Sequence, residues 1–305
     1  MRKILRTLFM FSLVVCCFAS CADDDNYNDR NGDKAVIPPK GTAVKVMTYN
    51  IYGARATDPS NAADLDALAE VIKKQNPDFV LMQEVDAYTS RSGKGVHQAK
   101  DLAEKLGMQW HFARAIDRLG GEYGDAVLSK LPIIETKSYR MTPTPELPGE
   151  DRSVCVIKVN VEGRDLWVVS THLDHLGDEV NRVSQAEQLR TIISELGGDI
   201  IMGGDFNCVP SSKPMDIISG YMTLGVRAGG AYTFPSDAPD RTIDYIMYTP
   251  VADFSVRSYE VVPQADQQVN GVFASDHCPV VATIQVRAGE GKTANTAAAD
   301  STAAE

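Results

Sequence analysis

Apolar runs that end in polar residues alternate with amphipathic segments along this chain, and this order constrains the fold more than any other feature. The stretches AVKVMTYNIY (43–52) and PDFVLMQEV (77–85) are rich in apolar and β-branched residues, and both predict strands. Between them, apolar residues recur at helical spacing from Leu65 to Ile72, and Asn76-Pro77 predicts the end of that helix. Strands joined by crossover helices indicate an α/β protein.

The rest of the chain adds further helices and strand pairs without an intervening helix. Helical spacing predicts helices around 99–106 and 181–196, each followed by a glycine. SVCVIKVNV and LWVVSTHL flank the turn Glu162–Asp165 and predict a hairpin. RTIDYIMYT, FSVRSYEVV and PVVATIQV then predict three consecutive strands. Hairpins and crossovers together imply mixed sheets, and we expect two sheets because one open sheet does not comfortably hold so many strands.

The N-terminal residues are predicted to be a targeting segment and not part of the fold. Three basic residues precede an apolar run over 8–19 that is too short to span a bilayer and suits a signal peptide. Phe18-Ala19-Ser20-Cys21 then resembles a bacterial lipobox, in which the cysteine is lipidated and becomes the mature N-terminus. The alternative is an ordinary secretory signal with an incidental cysteine. We assign residues 1–20 to a lipoprotein signal peptide, with membrane attachment through Cys21.

Composition divides the remainder into one domain with two polar ends. Residues 21–42 are polar and contain Pro38-Pro39, which indicates a solvated tether. Residues 288–305 contain little besides Ala, Thr, Gly and Glu, and we predict a disordered tail. The core at 43–287 is long enough for one large domain, which we expect to be monomeric. The acidic run Asp23–Asp25 resembles a surface-export signal of bacterial lipoproteins, although such runs also occur in linkers. The predicted location is the cell envelope, at the outer membrane.

Charge and cysteine content restrict the partners and the metal chemistry. The formal net charge of the chain is −11, and it becomes −14 without the three basic residues of the signal. Nucleic acid is therefore disfavoured as a partner, because polyanion binders present a basic face. Cys155, Cys208 and Cys278 remain in the core without zinc-site spacing, and we predict buried thiols over a disulfide.

Functional-looking polar residues stand at the ends of several predicted strands. They are Asn50, Glu84, His172, Asp205 with Asn207, Asp244, and Asp276 with His277. Each has an ordinary explanation, such as a turn or a solvated strand end. Those explanations are improbable together, because ligand sites in layered α/β proteins gather at strand ends.

These residue types suit metal-dependent attack at phosphorus. A hard divalent cation prefers oxygen ligands, and we assign Glu84, Asn50 and Asp276 to Mg²⁺ (or Mn²⁺). Asp205 is predicted to take or orient the proton of the attacking water, and Asn207 to hold a phosphoryl oxygen. His172 and His277 are predicted to bracket the phosphate as donors or acid/base groups.

Seven stretches in order resemble one known family. TYNIY, LMQEV, AVLSKLPI, STHLDH, GGDFN, RTIDYI and SDHCPV are similar to motifs of the endonuclease/exonuclease/phosphatase superfamily, over residues 43–287. The resemblance implies a four-layer α/β sandwich, with two central sheets face to face and helices outside. It also implies Mg²⁺- or Mn²⁺-dependent cleavage of a phosphoester bond. STHLDH favours the deoxyribonuclease, sphingomyelinase and small-substrate branches, and the WCDR signature of the 5-phosphatases is missing.

The resemblance also suggests roles for three further residues. By family position, Asp244 is the carboxylate that orients His277. Glu122 is the candidate partner of His172, although a plain loop charge is an equally good explanation. Arg152 matches a recurring family arginine that supports the site or contacts phosphate; the alternative is a surface arginine.

The glycines that precede Asp205 are expected to let the backbone approach the substrate. Pro143, Pro145, Pro148, Tyr232 and Phe234 are expected to form rigid walls around a compact substrate.

Three functions remain open from the sequence. The leading hypothesis is a metal-dependent phosphodiesterase or phosphatase that acts on a small or lipid-linked phosphoester. The alternatives are a secreted or surface endonuclease that degrades DNA, and a catalytically inactive binding lipoprotein.

Overall fold

The computed structural model describes residues 41–225, 232–250 and 254–287, and within them two six-stranded sheets pack face to face. Helices cover the outer face of each sheet, so the layers run helix, sheet, sheet, helix. This arrangement confirms the predicted four-layer α/β sandwich with mixed sheets. The predicted signal peptide, Cys21 and the tail at 288–305 lie outside the described residues.

The helices and strands are numbered in chain order. The helices are α1 (Leu65–Gln75), α2 (Gln98–Leu106), α3 (Val180–Leu196) and α4 (Lys213–Ser219), with short 3₁₀ turns at Tyr52–Ala54 and Gln264–Asp266. The first seven strands are β1 (Gly41–Asn50), β2 (Phe79–Ala87), β3 (Gln109–Arg118), β4 (Gly121–Ser129), β5 (Glu135–Met141), β6 (Arg152–Val161) and β7 (Arg164–His172). The remaining strands are β8 (Asp199–Asp205), β9 (Thr223–Leu224), β10 (Asp244–Tyr248), β11 (Phe254–Val261), β12 (Gln268–Val269), β13 (Val272–Phe273) and β14 (Val280–Arg287).

Both sheets mix parallel and antiparallel neighbours. The first sheet has the spatial order β11-β14-β1-β2-β4-β3, and the second has the order β5-β6-β7-β8-β10-β9. β1 runs parallel to β2, and β7 runs parallel to β8, with α1 and α3 as their crossover helices. The other pairs within the two sheets are antiparallel. The carboxyl ends of all four parallel strands lie at the edge where the polar residues stand.

Alternation along the strands builds three apolar layers. In β2, Leu81 packs in the core between the two sheets, whereas Val80 and Met82 pack against the helices on the other side. A third cluster joins β7 and β8 to α3 and α4, with Leu189 and Ile218 fully buried. Because both faces of the central strands are covered, these strands are apolar throughout, as their sequences are.

The local signals at the helix ends act as expected, but several elements carry too weak a signal for sequence reasoning. Asp64 caps α1 through its side chain, and Asn76 ends the helix in a left-handed conformation. α4 and the outer strands β3 and β5 were not predicted. The two strands lie at sheet edges, where polar and apolar residues alternate without a continuous apolar run. β1 begins at Gly41, because Gly41 and Thr42 already pair with β14, so the predicted tether extends two residues too far.

The predicted role of the glycines before Asp205 is wrong. A Cβ at Gly203 would lie 2.7 Å from the Leu81 side chain, and one at Gly204 would lie 2.0 Å from the carbonyl oxygen of Thr171. Protein atoms therefore fill the space that a substrate would need. The two glycines let β8 approach β7 and the opposite sheet closely.

The structure describes no helix long and apolar enough to cross a membrane in residues 41–225, 232–250 and 254–287.

We expect Gly204→Ala to lower the free energy of unfolding by about 2 kcal/mol or more, because the methyl group would collide with the Thr171 backbone. Urea denaturation measures the change. Gly177→Ala is the control, since nothing lies within 4 Å of its Cβ position. Equal stability of the two variants would contradict the close contact between β7 and β8.

Candidate active site

Most of the predicted site residues surround one cavity of about 560 Å³ at the polar edge of the two sheets. Seven of them line it: Glu84, Arg152, His172, Asp205, Asn207, Asp276 and His277. Asn50 and Asp244 lie directly behind this wall and hydrogen-bond to its members. Glu122 does not line it. Of the five predicted wall residues, Phe234 alone lines the cavity.

Strand direction explains why residues so distant in sequence meet. Asn50 and His172 end the parallel strands β1 and β7, and His172 is the register partner of Asp205 at the end of β8. The prediction that Glu84, Asp244 and Asp276-His277 also stand at the ends of strands is wrong. Glu84 lies inside β2, which continues to Ala87. Asp244 and Asp276-His277 stand at or before the starts of β10 and β14, which run antiparallel to their neighbours and so begin at the same edge.

A local irregularity in β2 turns Glu84 into the cavity. The pairing between β2 and β4 shifts register between Met82 and Val85, and Glu84 has a positive φ of 57°. A non-glycine residue in this region costs about 1–3 kcal/mol, which the surrounding structure must offset. Gln83 is buried and hydrogen-bonds to Ser170 of the other sheet, so the bulge separates a structural amide from an accessible carboxylate.

Asn50 connects two carboxylates and does not present its carbonyl oxygen to the cavity. Its amide nitrogen donates to Glu84 Oε1 at 3.2 Å and to Asp205 Oδ2 at 3.0 Å, while its Oδ1 accepts from the Tyr52 backbone N–H. Our assignment of Asn50 as an oxygen ligand for a metal is therefore wrong for this arrangement. The residue instead holds Glu84 and Asp205 in fixed positions.

Asp205 is the centre of the hydrogen-bonded cluster. Its Oδ1 accepts from the Asn207 backbone at 2.9 Å, and its Oδ2 lies 3.4 Å from His172 Nε2 and 3.6 Å from His277 Nε2. Burial raises the pKa of the Asp205 carboxyl, while the charge of His277 acts in the opposite direction. A carboxylate with a raised pKa between two imidazoles is suited to proton transfer.

The two histidines beside Asp205 differ in charge because their other neighbours differ. His277 Nδ1 lies 3.0 and 3.1 Å from the two oxygens of Asp244. Burial alone lowers the pKa of His277, but the carboxylates of Asp244 and Asp205 outweigh that effect and raise the pKa to about 10. His277 is therefore protonated at neutral pH. Asp244 occupies the orienting position that the family resemblance implied.

His172 is neutral because it is buried and because a guanidinium, in place of the carboxylate that the family resemblance suggested, lies beside it. Arg152 Nη1 lies 3.5 Å from His172 Nδ1, and Arg152 Nη2 lies 2.9 Å from His175 Nδ1. Burial, followed by the charges of Arg152 and His277, lowers the pKa of His172 well below its ordinary value. Arg152 is itself buried, so the surface-arginine alternative is wrong. Asn207 donates to Leu173 O and lies 3.0 Å from His172 Nε2, which fixes the ring from the other side.

The proposed pairing of Glu122 with His172 is wrong, because β4 directs Glu122 to the opposite face. Tyr123 lines the cavity and Asp125 bonds Ser153 across the two sheets, so the residues at odd positions face inward. Glu122 faces the helix layer, where its charge acts on His97.

The inward carboxyl group on β4 is Asp125, which the sequence analysis missed. Asp125 is buried and accepts a hydrogen bond from Ser153 Oγ. Burial raises its pKa to about 8, so it is largely neutral at pH 7. The motif GEYGDAVLS contains both acids, and only the strand register distinguishes them. The other missed lining residues include Arg118, Glu150, His175 and Arg241.

The core cysteines behave as predicted. Cys155, Cys208 and Cys278 are free and buried, and none of them lines the cavity.

Comparison with known proteins relates the chain to one protein family. Residues 47–277 match the model of the Endonuclease/Exonuclease/phosphatase family. The chain is similar to an inositol phosphosphingolipids phospholipase C of Schizosaccharomyces pombe, with 24% identity over 200 residues, covering 60% of this chain and 45% of that protein. It is also similar to a 5'-tyrosyl-DNA phosphodiesterase of Caenorhabditis briggsae, with 24% identity over 195 residues, covering 61% of this chain and 51% of that protein. The chain thus spans about half the length of these curated relatives.

A solved structure has the same fold. The mannosyl-6-phosphatase of Bacteroides thetaiotaomicron superimposes with a TM-score of 0.61 at 21% identity, covering 79% of this chain and 99% of that one.

We expect Asp244→Asn to destabilise the protein in a pH-dependent way. The pKa of His277 is raised from 6.5 to about 10 in the folded state. Its positive charge therefore stabilises the folded state fully below pH 6.5, and this stabilisation is lost as the pH rises through about 10. The loss in free energy of unfolding should therefore be larger at pH 6 than at pH 10, as urea denaturation at the two pH values measures. Asp240→Asn, at an exposed ion pair, is the control and should change stability little at either pH. A pH-independent effect of Asp244→Asn would contradict the charge on His277.

Proposed function

Because the chain belongs to the endonuclease/exonuclease/phosphatase family, whose members are phosphoester hydrolases, we propose that it is a divalent-metal-dependent phosphodiesterase or phosphatase. The observation that carries the proposal is the pair of histidines on either side of Asp205, one protonated and one neutral. Two titratable groups in one cavity with widely separated pKa values are typical of the catalytic acid and base of an enzyme.

The chain's own residues supply the proton chemistry of the proposed reaction. His277 is held through Nδ1 by Asp244, which leaves the Nε2 proton directed to Asp205 and the cavity. From there it donates to an oxygen of the phosphoryl group. Asp205 accepts the proton of the attacking water, since its raised pKa makes it a better base than an ordinary aspartate.

The remaining groups offset charge on the phosphate and exclude solvent. Arg152 brings a fixed positive charge to the cavity wall, and Asn207 holds neutral His172 in place. His172 completes the wall as a neutral ring, because its two nitrogens already face the donors Arg152 and Asn207. A catalytically inactive scaffold would not require this set of buried, hydrogen-bonded charges, so the binding-lipoprotein alternative is disfavoured.

The carboxylates at the cavity fit a divalent cation. Asp276 Oδ1 is buried and has no hydrogen-bond partner among the described residues. Burial raises the pKa of Asp276 to about 6, and the nearby charge of Glu84 acts in the same direction. Two neighbouring carboxylates with an unpaired oxygen are suited to Mg²⁺ or Mn²⁺, which would polarise the phosphoryl oxygen and offset its charge.

A second group of potential ligands is less suitable. Asp205, Asp244 and His277 offer ligand atoms within 4.8 Å of one another. The hydrogen bonds between His277 and Asp244 already account for that cluster, and a cation there would displace the shared proton. We therefore assign the metal to Glu84 and Asp276.

The substrate that we propose is a small or lipid-linked phosphoester. The mature chain would carry a formal charge of −14, which opposes a long polyanion outside the immediate cavity. The phospholipase C relative acts, by its name, on sphingolipids and the structural neighbour on a mannosyl phosphate, so both substrate types occur among similar proteins. The endonuclease alternative is supported by the similarity to the tyrosyl-DNA phosphodiesterase.

Hydrolysis of chromogenic esters tests the function directly. We expect release of p-nitrophenol from bis-p-nitrophenyl phosphate or p-nitrophenyl phosphate with MgCl₂ or MnCl₂, and none with EDTA. Activity on these esters should depend weakly on NaCl. Plasmid cleavage that is faster than hydrolysis of any small ester, and that collapses at moderate salt, would favour the endonuclease.

We expect Glu84→Gln to lower kcat/KM at least about a hundredfold and to raise the Mg²⁺ concentration needed for half-maximal activity, because a ligand carboxylate is lost. Titration of activity with MgCl₂ measures both effects. Glu122→Gln is the matched control, because it makes the same change in the same sheet at a side chain that faces the helix layer. Near-native turnover of Glu84→Gln at limiting Mg²⁺ would refute the assignment.

For location, we propose a lipid-anchored protein of the cell envelope, at the outer membrane. Cys21→Ser should move the protein from the membrane to the soluble fraction, because residues 22–42 contain no apolar run to replace the lipid. Fractionation followed by immunoblotting measures the shift. Cys16→Ser, within the apolar run of the signal, is the control and should remain membrane-bound. Membrane association of Cys21→Ser equal to that of the wild type would contradict the anchor.

A further inference from the structure

The cavity wall contains a cation that the proposed chemistry does not use. Three arginines line the cavity: Arg152, Arg118 and Arg241. Arg152 is buried against the two histidines, and Arg118 is paired at 3.3 Å with Glu150, which lines the same cavity. The carboxylate partner of Arg241 is Asp240, which does not line the cavity. Among the described residues, Arg241 is therefore the lining arginine that neither contacts His172 or His175 nor pairs with a carboxylate of the wall.

A stack of side chains fixes the distance between Arg241 and the reaction centre. The Arg241 guanidinium lies 4.7 Å from the centroid of the Phe234 ring, and the Phe234 ring lies 4.7 Å from the His277 ring. The Arg241 guanidinium carbon therefore lies no farther from the centre of the His277 ring than the sum of these two distances. A planar guanidinium on an aromatic face is held in orientation, and its N–H groups remain available at the ring edge.

The backbone that carries this stack is tied firmly to the site. Arg241 and Phe234 form an isolated bridge, in which Arg241 O accepts from the N–H groups of Thr233 and Phe234. Thr233 O accepts from Cys278 N at 2.7 Å, next to His277. Thr233 Oγ1 accepts from the backbone N–H of Asp244 at 3.2 Å. Arg241 therefore keeps its position relative to both members of the His277–Asp244 pair.

We propose that Arg241 is a specificity-determining residue that binds a second anionic group on the substrate, a carboxylate or phosphate a few bonds from the reacting phosphorus. This inference rests on the proposed function, because it names the substrate class of the same cavity. A guanidinium binds either anion with two N–H groups, and the half-exposed Arg241 side chain is accessible to such a group. The preferred substrate is then a phosphoester whose alcohol carries its own negative charge, ahead of a neutral alcohol of the same size.

Competitive inhibition by a matched pair of small molecules tests the proposal. 3-Phosphoglycerate and glycerol 3-phosphate have the same carbon chain and one phosphoester, and they differ in a carboxylate against a hydroxymethyl group. Their inhibition constants are measured on the Mg²⁺-loaded full chain with whichever chromogenic ester it hydrolyses. We expect 3-phosphoglycerate to bind at least about tenfold more tightly than glycerol 3-phosphate, because one charge-assisted hydrogen bond contributes about that much to affinity. The ratio of the two inhibition constants should approach one as the NaCl concentration is raised.

Substitution then assigns the preference to a residue. Arg241→Gln should reduce the ratio of the two inhibition constants to within about threefold, and Arg241→Lys should restore part of it. Arg190→Gln is the matched control, since Arg190 also lies over an aromatic ring, that of Tyr221, but does not line the cavity. It should keep the wild-type ratio.

The possible failures are distinguishable. A wild-type protein that hydrolyses no phosphoester refutes the proposed function itself. Hydrolysis without a preference for 3-phosphoglycerate, or a preference that Arg118→Gln abolishes and Arg241→Gln leaves intact, overturns the role of Arg241 alone. A defect of Arg241→Gln confined to plasmid cleavage also overturns the proposal, because the second anion would then be a neighbouring phosphate of nucleic acid.

Discussion

The hydrogen bond from Asn50 to Asp205 is the contact on which the site depends. It joins the end of β1 in one sheet to the end of β8 in the other, across 155 positions of sequence, and both residues are buried. A buried carboxylate is costly unless it is hydrogen-bonded, so this amide, the Asn207 backbone and the two histidines together make the charge tolerable. The same contact fixes the relative position of the sheets at the cavity, and the close packing at Gly203 and Gly204 brings β8 near enough to form it.

Different neighbours of two chemically identical imidazoles give the cavity its chemical asymmetry. Both rings contact Asp205 and are almost fully buried, but the second neighbour of His277 is the Asp244 carboxylate, whereas that of His172 is the Arg152 guanidinium. In a medium of low dielectric constant such neighbours move pKa values much farther than they would at the surface. One ring is therefore a proton donor and the other a neutral hydrogen-bonding group over the same pH range. The asymmetry follows from the strand order, because β10 brings Asp244 to one side of Asp205 and β6 brings Arg152 to the other.

Sequence reasoning predicted the fold and most of the site, and two of its errors at the site have a common physical cause. Central strands buried on both faces are continuous apolar runs, so they and their polar ends were recognisable, and so were helices with clear caps. Both errors concern which way a side chain points. Glu122 and Asp125 lie three positions apart in one strand and therefore face opposite sides, and no local signal says which face is inward. The amide orientation of Asn50 depends on two carboxylates that come from distant segments. Sequence patterns register residue types and spacing, but these orientations are set by tertiary neighbours.

The division between strands and loops also explains why the strand residues of the cavity were easier to predict than the loop residues that line it. Asp205 and His172 stand on strands whose positions are fixed by ladders on both sides, so their geometry follows from the fold. Arg118, Glu150 and Arg241 stand at strand ends or in loops, where length and composition vary with little cost to the core. A family of phosphoester hydrolases can therefore keep one reaction centre while its loops present different groups to the alcohol part of the substrate. In this chain the loop that carries Arg241 is tied by backbone hydrogen bonds to the segment that carries His277, so a change in the recognition residue need not disturb the backbone of the reaction centre.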